Sequence, residues 1–205
     1  MGFYSNVIVP FFYDYSMDSE KINEGRKSIL NRIMEEEILE IGFGTGINVN
    51  FYPDNVKKII GIDINKGMLK KFSKKKLSTG VEIQSLHQEG ETLPFPDNSF
   101  FAITSTYTLC SIKNVTLSLK EIYRILKPGG KYYFLEHGLA DNPRTQKWQH
   151  RLNPVQKIWA GGCNLNRDIK SLITNAGFNI VELNNYYMKR DPKIVGYMYE
   201  GIAVK

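Results

Sequence analysis

The sequence predicts an α/β fold in which a doubly wound, mostly parallel sheet carries helices on both faces. Short apolar segments alternate with amphipathic ones along the chain, which is typical of strands joined by crossover helices. The first apolar segment, 37–41, runs directly into a glycine-rich turn at 42–46. The last two strand-like segments, 178–187 and 194–204, have no helix between them. We therefore expect seven strands, with an antiparallel hairpin at one edge of the sheet.

The remaining elements follow without a repeat, a low-complexity tract or an interdomain linker. Hydrophobic periodicity predicts a first helix from Ser19 or Glu20 to about Met34. Four further strands are predicted at 56–63, 80–84, 100–104 and 131–136. Later helices are predicted at 117–126, at 148–159 with a break at Pro154, and at 167–176.

Composition narrows the class of protein. A chain of 205 residues with 42% hydrophobic and 23% charged residues matches one ordinary globular domain. Its two cysteines, Cys110 and Cys163, are too few for a disulfide framework or a four-ligand metal site. No apolar run approaches the ~18 residues that span a bilayer, and no basic residue precedes the apolar stretch 7–13, so we expect no signal peptide. These features predict a cytoplasmic protein without a metal.

The net charge of +6 is concentrated in one basic segment. Its lysines are Lys66, Lys70, Lys71, Lys74, Lys75 and Lys76. Met68, Leu69 and Phe72 lie between them at helical spacing, which predicts a helix with a buried stripe and a basic face. We interpret that face as solvated surface, and the alternative is attraction to anionic lipid or an acidic partner. Basic and aromatic residues do not interleave, so we expect no nucleic-acid partner.

The most informative stretch is the glycine-rich turn that follows segment 37–41. Gly42, Gly44 and Gly46 occupy every second position, which lets a ligand approach bare backbone because no Cβ stands in the way. Residues 47–51 can open a helix whose free N–H groups would face that ligand. The spacing is G-x-G-x-G, whereas the dinucleotide fingerprint is G-x-G-x-x-G. It therefore disfavours a nicotinamide oxidoreductase.

An acidic residue ends the next predicted strand after the glycine-rich turn. Asp63 ends segment 56–63, 23 residues after Glu40. A carboxylate about 20 residues beyond such a turn normally accepts hydrogen bonds from the two ribose hydroxyls of a nucleotide. The structural alternative is that Asp63 caps the helix beginning near Lys66. Spacing and strand context favour the ribose role.

Three segments together resemble the class I S-adenosylmethionine-dependent methyltransferases. They are the glycine-rich turn preceded by Glu40, the loop 88–100 with its Leu-Pro-Phe-Pro run, and the Leu-Lys-Pro-Gly-Gly turn at 126–130. The resemblance covers about residues 36–138. It implies a Rossmann-like doubly wound sheet and S-adenosyl-L-methionine as cofactor, with S-adenosyl-L-homocysteine as product. It divides the chain into an N-terminal lid and helical segment, 1–35, and a methyltransferase domain, 36–205.

The same resemblance implies a set of cofactor-binding residues. By the family pattern, Glu89 takes the acidic position that receives the adenine amino group and Gly90 supplies the adjacent N–H. Here Glu stands where the pattern has Asp, and Gln88 stands where it has Gly. The complete implied set is Glu40, Gly42, Gly44, Thr45, Gly46, Asp63, Ile64, Met68, Glu89, Gly90, Glu91, Thr106 and Tyr107.

A narrower resemblance concerns the C-terminal third. Glu136-His137, Trp148, segment 162–167 and segment 201–205 look like the membrane-associated alkyl thiol methyltransferases, with phospholipid and ubiquinone/menaquinone methyltransferases as broader relatives. This implies methyl transfer to a small, apolar acceptor, with a thiol favoured, and peripheral membrane contact. The alternatives are a phospholipid N-methyltransferase, a quinone-precursor C-methyltransferase and, from another class, a non-catalytic S-adenosylmethionine-binding protein.

Candidate acceptor-side residues complete the sequence predictions. His137 follows segment 131–136, and an imidazole with a pKa near ~6.5 can take a proton from a thiol near ~8.5. The alternative is a histidine bonded to local backbone. Aromatic residues near the N-terminus are predicted to form a lid or, equally, a hydrophobic staple on the core. The predicted substrate or lid residues are Tyr4, Tyr13, Tyr15, His137 and Trp148, with Phe11 and Phe12 beside them.

Overall fold

The computed structural model describes residues 14, 15, 17–75 and 80–205. Several residues of the predicted lid and one lysine of the basic segment lie outside the described residues: Tyr4, Phe11, Phe12, Tyr13 and Lys76.

A seven-stranded sheet forms the centre of the molecule, as the sequence predicts. Its strand order is β3-β2-β1-β4-β5-β7-β6. The first five strands in this order are parallel, and β7 is antiparallel to both β5 and β6. The strands are β1 Glu37–Ile41, β2 Lys58–Asp63, β3 Glu82–His87, β4 Phe100–Thr106, β5 Leu126–His137, β6 Asn179–Tyr187 and β7 Tyr197–Val204. The C-terminal antiparallel hairpin is thus confirmed at the β6 edge.

Helices connect the strands. They are α1 Glu20–Leu30, a 3₁₀ helix Ile47–Phe51, α2 Lys66–Phe72, α3 Val115–Ile125, α4 Pro143–Trp159 and α5 Ile169–Asn175. Most boundaries lie within a few residues of the predicted ones. Helix α1 ends at Leu30 rather than near Met34, and β3 begins at Glu82 rather than Gly80. Ile33 is nevertheless fully buried, so the predicted inner face continues beyond the helix end.

The predicted break at Pro154 is wrong, because α4 runs unbroken through it. A proline inside a helix removes one backbone hydrogen bond and crowds the preceding turn. Helix α4 is 17 residues long, and its start is well defined, with Pro143 in the first turn and the Asn142 side chain accepting from the backbone N–H groups of Arg144 and Thr145. The backbone hydrogen bonds of the turns on both sides of Pro154 therefore maintain the helix through this residue.

Both faces of the sheet are covered, as a doubly wound fold requires. Successive residues of β1 point to opposite sides: Leu39 packs in the core cluster that includes residues of α3 and α5, and Ile38 packs in the cluster that includes residues of α1. The chain order reverses between β1 and β4. In such sheets ligands bind outside the carboxyl ends of the strands at this reversal.

Candidate functional site

A cavity of about 820 Å³ opens at the carboxyl ends of β1, β2, β4 and β5. This volume is in the range of ~300–1,000 Å³ that small-molecule sites occupy. On the β1–β2 side its wall includes Gly42, Gly44 and Asp63, and on the β4–β5 side it includes Cys110 and His137. One cavity therefore joins the two groups of residues that the sequence singled out separately.

The glycine-rich turn brings bare backbone to the cavity. Gly42 has φ +76° and Gly44 has φ +58°, values that side chains rarely tolerate. A Cβ on Gly42 would lie 2.0 Å from Oγ1 of Thr108, so no larger residue fits there. The backbone N–H of Gly44 donates to Oδ2 of Asp63 at 2.8 Å. This bond ties the end of β2 to the turn after β1.

Asp63 is not the cap of α2. That cap is Asn65, whose Oδ1 accepts from the backbone N–H groups of Gly67 and Met68 at 2.9 and 3.2 Å. Asp63 accepts one backbone N–H on each oxygen, from Gly44 and from Asn65. A carboxylate has about four acceptor positions, so further hydrogen bonds are available on the cavity side. Burial raises the pKa of Asp63, with these two N–H groups opposing the shift.

Glu40 lies beneath the glycine turn rather than in the cavity wall. Its oxygens accept from Nδ2 of Asn48 at 2.7 Å and from the hydroxyl of Tyr52 at 2.8 Å. Asn48 also donates to Oγ1 of Thr106 at 2.9 Å and accepts from Nε of Arg26 at 2.9 Å. Burial raises the pKa of Glu40 to about 8 against the lowering effect of these hydrogen bonds and of Arg26.

The loop after β3 contributes three residues to the wall. Gln88, Gly90 and Glu91 line the cavity, whereas the side chain of Glu89 is exposed at the surface. Glu91 also accepts from the backbone N–H of Asn114 at 3.0 Å. The loop is thereby tied to the start of α3.

Two thiols and one imidazole lie close together on the β4–β5 side of the cavity. They come from the loop after β4 (Cys110), the end of β5 (His137) and the loop after α4 (Cys163). Their ligand-type atoms all lie within 4.8 Å of one another, and Nε2 of His137 is 3.0 Å from Sγ of Cys163. The neighbouring Cys110 and burial raise the pKa of the Cys163 thiol, whereas His137 opposes the shift.

The loops that carry the two cysteines are fastened to each other. Asn164 donates to the carbonyl oxygen of Cys110 twice, from its backbone N–H at 2.9 Å and from Nδ2 at 2.8 Å. Arg167 donates to the carbonyl oxygens of Leu109 and Ile112 on either side. From the sequence alone, Cys110 and Cys163 had no assigned role in the site, and the contact between their loops through Asn164 became evident only from the structure.

Glu136 supports the same loop from behind. It is fully buried and accepts from Oγ of Ser105 at 2.7 Å and from the backbone N–H groups of Thr108 and Leu109 at 2.8 and 3.1 Å. Burial raises its pKa to about 7, although these bonds and His137 oppose the shift. The Glu-His pair was recognised in the sequence, but this holding role depends on contacts between β4 and β5.

The described part of the N-terminal segment contacts the glycine turn and the basic helix α2. Asp14 accepts from Oγ1 of Thr45 and forms ion pairs with Lys71 and Lys75 at 3.2 and 3.3 Å. Part of the basic face is thus used within the chain. Met17 lines the cavity, whereas Tyr15 is 91% exposed.

The sequence-predicted residues divide into two groups. Those in the cavity wall are Gly42, Gly44, Asp63, Ile64, Met68, Gly90, Glu91, Tyr107 and His137. Those outside the wall within the described ranges are Glu40, Thr45, Gly46, Glu89, Thr106, Tyr15 and Trp148. Trp148 is 52% exposed on α4, and Trp159, at the end of the same helix, lines the cavity instead.

Comparisons with known proteins agree on one class. A family model described as a methyltransferase domain matches residues 39–134. A thiol S-methyltransferase of Homo sapiens is 32% identical over 173 residues, covering 82% of this chain and 70% of that protein. A demethylmenaquinone methyltransferase of Oceanobacillus iheyensis is 27% identical over 180 residues, covering 74% and 73%.

The fold has close structural counterparts. The crystal structure of the YcgJ protein of Bacillus subtilis superposes with a TM-score of 0.67 at 22% identity, covering 84% of this chain and 76% of that one. At this identity the likeness concerns the fold alone. Across residues 14, 15, 17–75 and 80–205, no helix combines the length and the apolar character that crossing a membrane requires.

Proposed function

Because this chain belongs to the S-adenosylmethionine-dependent methyltransferases, we propose that it transfers the methyl group to the sulfur of a small, apolar thiol. Its cofactor is S-adenosyl-L-methionine, and its acceptor is a small molecule. The observation that carries the thiol proposal is the single cavity that joins the glycine turn and Asp63 to Cys110, His137 and Cys163. The name of the human relative supports the same acceptor class.

The residues on the β1–β2 side fit this cofactor. A nucleoside carries vicinal hydroxyls, and Asp63 keeps free acceptor positions toward the cavity. Gly42 and Gly44 present bare backbone in the cavity wall, and a Cβ on Gly42 would collide with the side chain of Thr108. We assign the ribose hydroxyls to Asp63, the adenine side to Gly90 and Glu91, and an apolar contact to Met68. Glu40 and Thr106 support the turn from beneath through Asn48.

The chemistry divides between cofactor and protein. When bound, the cofactor supplies a methyl group already activated by a sulfonium, so the protein must orient the acceptor and exclude water. Alignment of two reacting groups can supply several kcal/mol. The acceptor thiol loses its proton, its sulfur forms a bond to the methyl carbon, and the methyl–sulfonium bond breaks with its electron pair left on the donor sulfur. No enzyme nucleophile is consumed.

His137 is the residue that we place against the acceptor. It lies at the end of β5 in the cavity wall, where acceptors meet the donor in this fold. It either takes the thiol proton or holds the sulfur in line. These two roles respond differently to pH, because a thiolate that forms in solution needs no base but still needs positioning.

An acceptor screen tests the proposal. Purified protein is incubated with S-adenosylmethionine and alkyl thiols, phosphatidylethanolamine or quinone precursors, and S-adenosylhomocysteine is measured. We expect turnover with alkyl thiols above the other two classes. Turnover restricted to a quinone precursor would replace thiol methylation with C-methylation, in line with the Oceanobacillus relative. Cofactor binding without turnover on any class would favour the non-catalytic alternative for this chain.

We further propose that α4 docks on anionic membrane surfaces. Its exposed side carries the apolar residues Trp148, Leu152, Val155, Ile158 and Trp159. The helix contains four basic residues, Arg144, Lys147, Arg151 and Lys157, and no acidic one. An amphipathic helix with tryptophans and with basic but no acidic residues is suited to the lipid interface. Trp159 also lines the cavity, so docking would bring the cavity entrance close to dissolved apolar acceptors.

Vesicle sedimentation tests the docking proposal. The protein should sediment with phosphatidylserine-containing vesicles and much less with pure phosphatidylcholine. Val155→Ser combined with Ile158→Ser should abolish most of the binding, because both side chains are more than half exposed. The matched control is Phe101→Ser with Val181→Ser, which removes two apolar side chains elsewhere that are each at least half exposed. Equal binding by the two double variants would refute a docking role for α4.

A further inference from the structure

We propose that Cys110, His137 and Cys163 form a zinc-binding site whose fourth position receives the acceptor thiol. The proposal rests on the thiol methyltransferase function above, and it assigns the way in which the acceptor is held and activated. Two sulfurs and one imidazole nitrogen are the ligand set that zinc prefers. A site with three protein ligands and an open position is the arrangement of catalytic zinc.

The geometry meets the requirements of such a site. Zinc at ~2.3 Å from sulfur and ~2.0–2.1 Å from nitrogen places tetrahedral ligands about 3.6–3.8 Å apart. Here Nε2 of His137 is 3.0 Å from Sγ of Cys163, and all three atoms lie within 4.8 Å of one another. Movements of about an ångström or less in the side chains would seat the ion, with the backbone unchanged.

The surroundings hold the three residues in place. Asn164 binds the carbonyl oxygen of Cys110 and so fixes the two cysteine loops relative to each other. His137 is set by its place in β5, where it pairs with Met198 of β7. Since Cys110, His137 and Cys163 all line the cavity, an ion held by them would remain accessible to a ligand from the cavity.

Coordination of the acceptor thiol to zinc would replace deprotonation of that thiol by His137. A thiol bound to zinc loses its proton to solvent and stays nucleophilic as a thiolate. The sulfur then bonds to the methyl carbon as the methyl–sulfonium bond breaks, and the neutral thioether, a weaker ligand, leaves. Two protein thiolates and one zinc ion carry no net charge, and the bound acceptor thiolate would add one negative charge opposite the positive sulfonium of the donor.

The test measures metal binding directly and does not depend on enzyme activity. The chain has two cysteines in total, and both are in the site, so alkylation followed by intact-mass measurement reports on the site alone. Reduced protein is incubated with zinc, freed of excess by gel filtration and analysed for metal. We expect close to one zinc per chain and protection of both thiols from iodoacetamide, with two alkylations after chelation. Cobalt in place of zinc should give thiolate-to-metal charge-transfer absorption.

Variants decide between a site and incidental binding. Cys110→Ser and Cys163→Ser should each lose most of the zinc and the cobalt absorption, and the control His150→Gln should keep both. Zinc retention in the double serine variant equal to wild type, or no retention in wild type, would overturn the proposal. A mass two hydrogens lower without reductant, together with no zinc uptake after reduction, would instead establish a disulfide. Thiol turnover unaffected by chelation would overturn the activating role but leave thiol methylation standing.

Discussion

The two sides of the cavity are built in different ways. The β1–β2 side comes from one short stretch of chain, in which Gly42, Gly44 and Asp63 lie within 22 residues. The β4–β5 side is assembled from Cys110, His137 and Cys163, which three separate elements bring within 4.8 Å. The first side presents mainly backbone and one carboxylate, whereas the second presents reactive side chains. The proposed cofactor side is therefore encoded locally, whereas the proposed acceptor side depends on tertiary assembly.

The largest expected effect is a loss of turnover without a loss of cofactor affinity. His137→Gln should lower turnover on an alkyl thiol by ~10²–10⁴ at pH 7, the usual cost of losing a proton-accepting group. Turnover should also fall if the imidazole instead serves as a ligand of the proposed zinc ion. Affinity for the cofactor should stay near wild type, because the contacts that we propose for it lie on the other side of the cavity. Steady-state kinetics and calorimetry measure the two quantities, with His150→Gln as the matched histidine control.

The pH dependence of that defect sharpens the assignment. If His137 takes the proton, the defect shrinks as pH rises through the pKa of the acceptor thiol, since the thiolate then forms unaided. A defect independent of pH indicates that His137 positions the acceptor. Undiminished turnover of His137→Gln at pH 7 would rule out both roles and leave a structural histidine.

The second prediction addresses the β1–β2 side. Asp63→Ala should weaken binding of S-adenosylmethionine by ~1.5–3 kcal/mol, or about 10- to 150-fold, the range for hydrogen bonds to a charged group. Asn65 caps α2, so this variant keeps the helix cap but loses the bonds that Asp63 accepts from the backbone N–H groups of Gly44 and Asn65. Calorimetry with the cofactor and with NAD measures the effect. Unchanged affinity would remove Asp63 from the cofactor site, and NAD binding in place of the cofactor would refute the cofactor assignment.

A smaller effect is expected from the N-terminal segment. Deleting residues 1–17 should preserve most of the fold, since β1 begins at Glu37. Turnover should fall several-fold, because the deletion removes Met17 from the cavity wall and the contacts of Asp14 with Thr45 and Lys71. Thermal unfolding and turnover are compared with the full chain. Full activity with the same acceptor range would favour a hydrophobic staple over a lid.

A separate effect is expected on stability. Glu40 ionises near pH 4.3 in an unfolded chain and near pH 8 in the folded protein, where burial, Asp63, Asn48, Tyr52 and Arg26 act on it. Between these values the folded state binds more protons. The free energy of unfolding should therefore fall as pH rises, by up to ~1.4 kcal/mol per pH unit.

Glu40→Gln provides the control for this dependence. The amide cannot ionise, so the decline in stability between about pH 5 and 8 should flatten. Denaturant unfolding at several pH values measures the slope for both proteins. An identical slope in the variant would show that Glu40 does not carry a raised pKa.

The sequence predicted the sheet well because its signals are local. Strand β1 was delimited correctly, since an apolar run between charged residues and a glycine turn has one clear interpretation. The C-terminal hairpin followed from the lack of a helical pattern between its strands. The break predicted at Pro154 was wrong because the loss of one backbone hydrogen bond is outweighed by the remaining hydrogen bonds of a long helix with a well-capped start.

The acceptor side was harder to predict for physical reasons. Cys110 and Cys163 are 53 residues apart, and their proximity depends on the path of α4 and on Asn164. Trp148 and Trp159 lie 11 positions apart, about three helical turns, so they share a face of α4. Which of them reaches the cavity depends on where the helix lies, and that is fixed by packing. The placement of Glu40 beneath the turn likewise required knowing Asn48 and Tyr52 as its partners.

The most direct test of thiol methylation follows the methyl group itself. The protein is incubated with S-adenosylmethionine carrying a deuterated methyl group and with an equimolar mixture of an alkyl thiol, phosphatidylethanolamine and a quinone precursor, and products are identified by mass spectrometry. We predict that the label appears as the methyl thioether, in amounts equal to the S-adenosylhomocysteine formed, and that His137→Gln reduces both together. Label recovered on the lipid nitrogen or the quinone ring, with none on sulfur, would contradict the account.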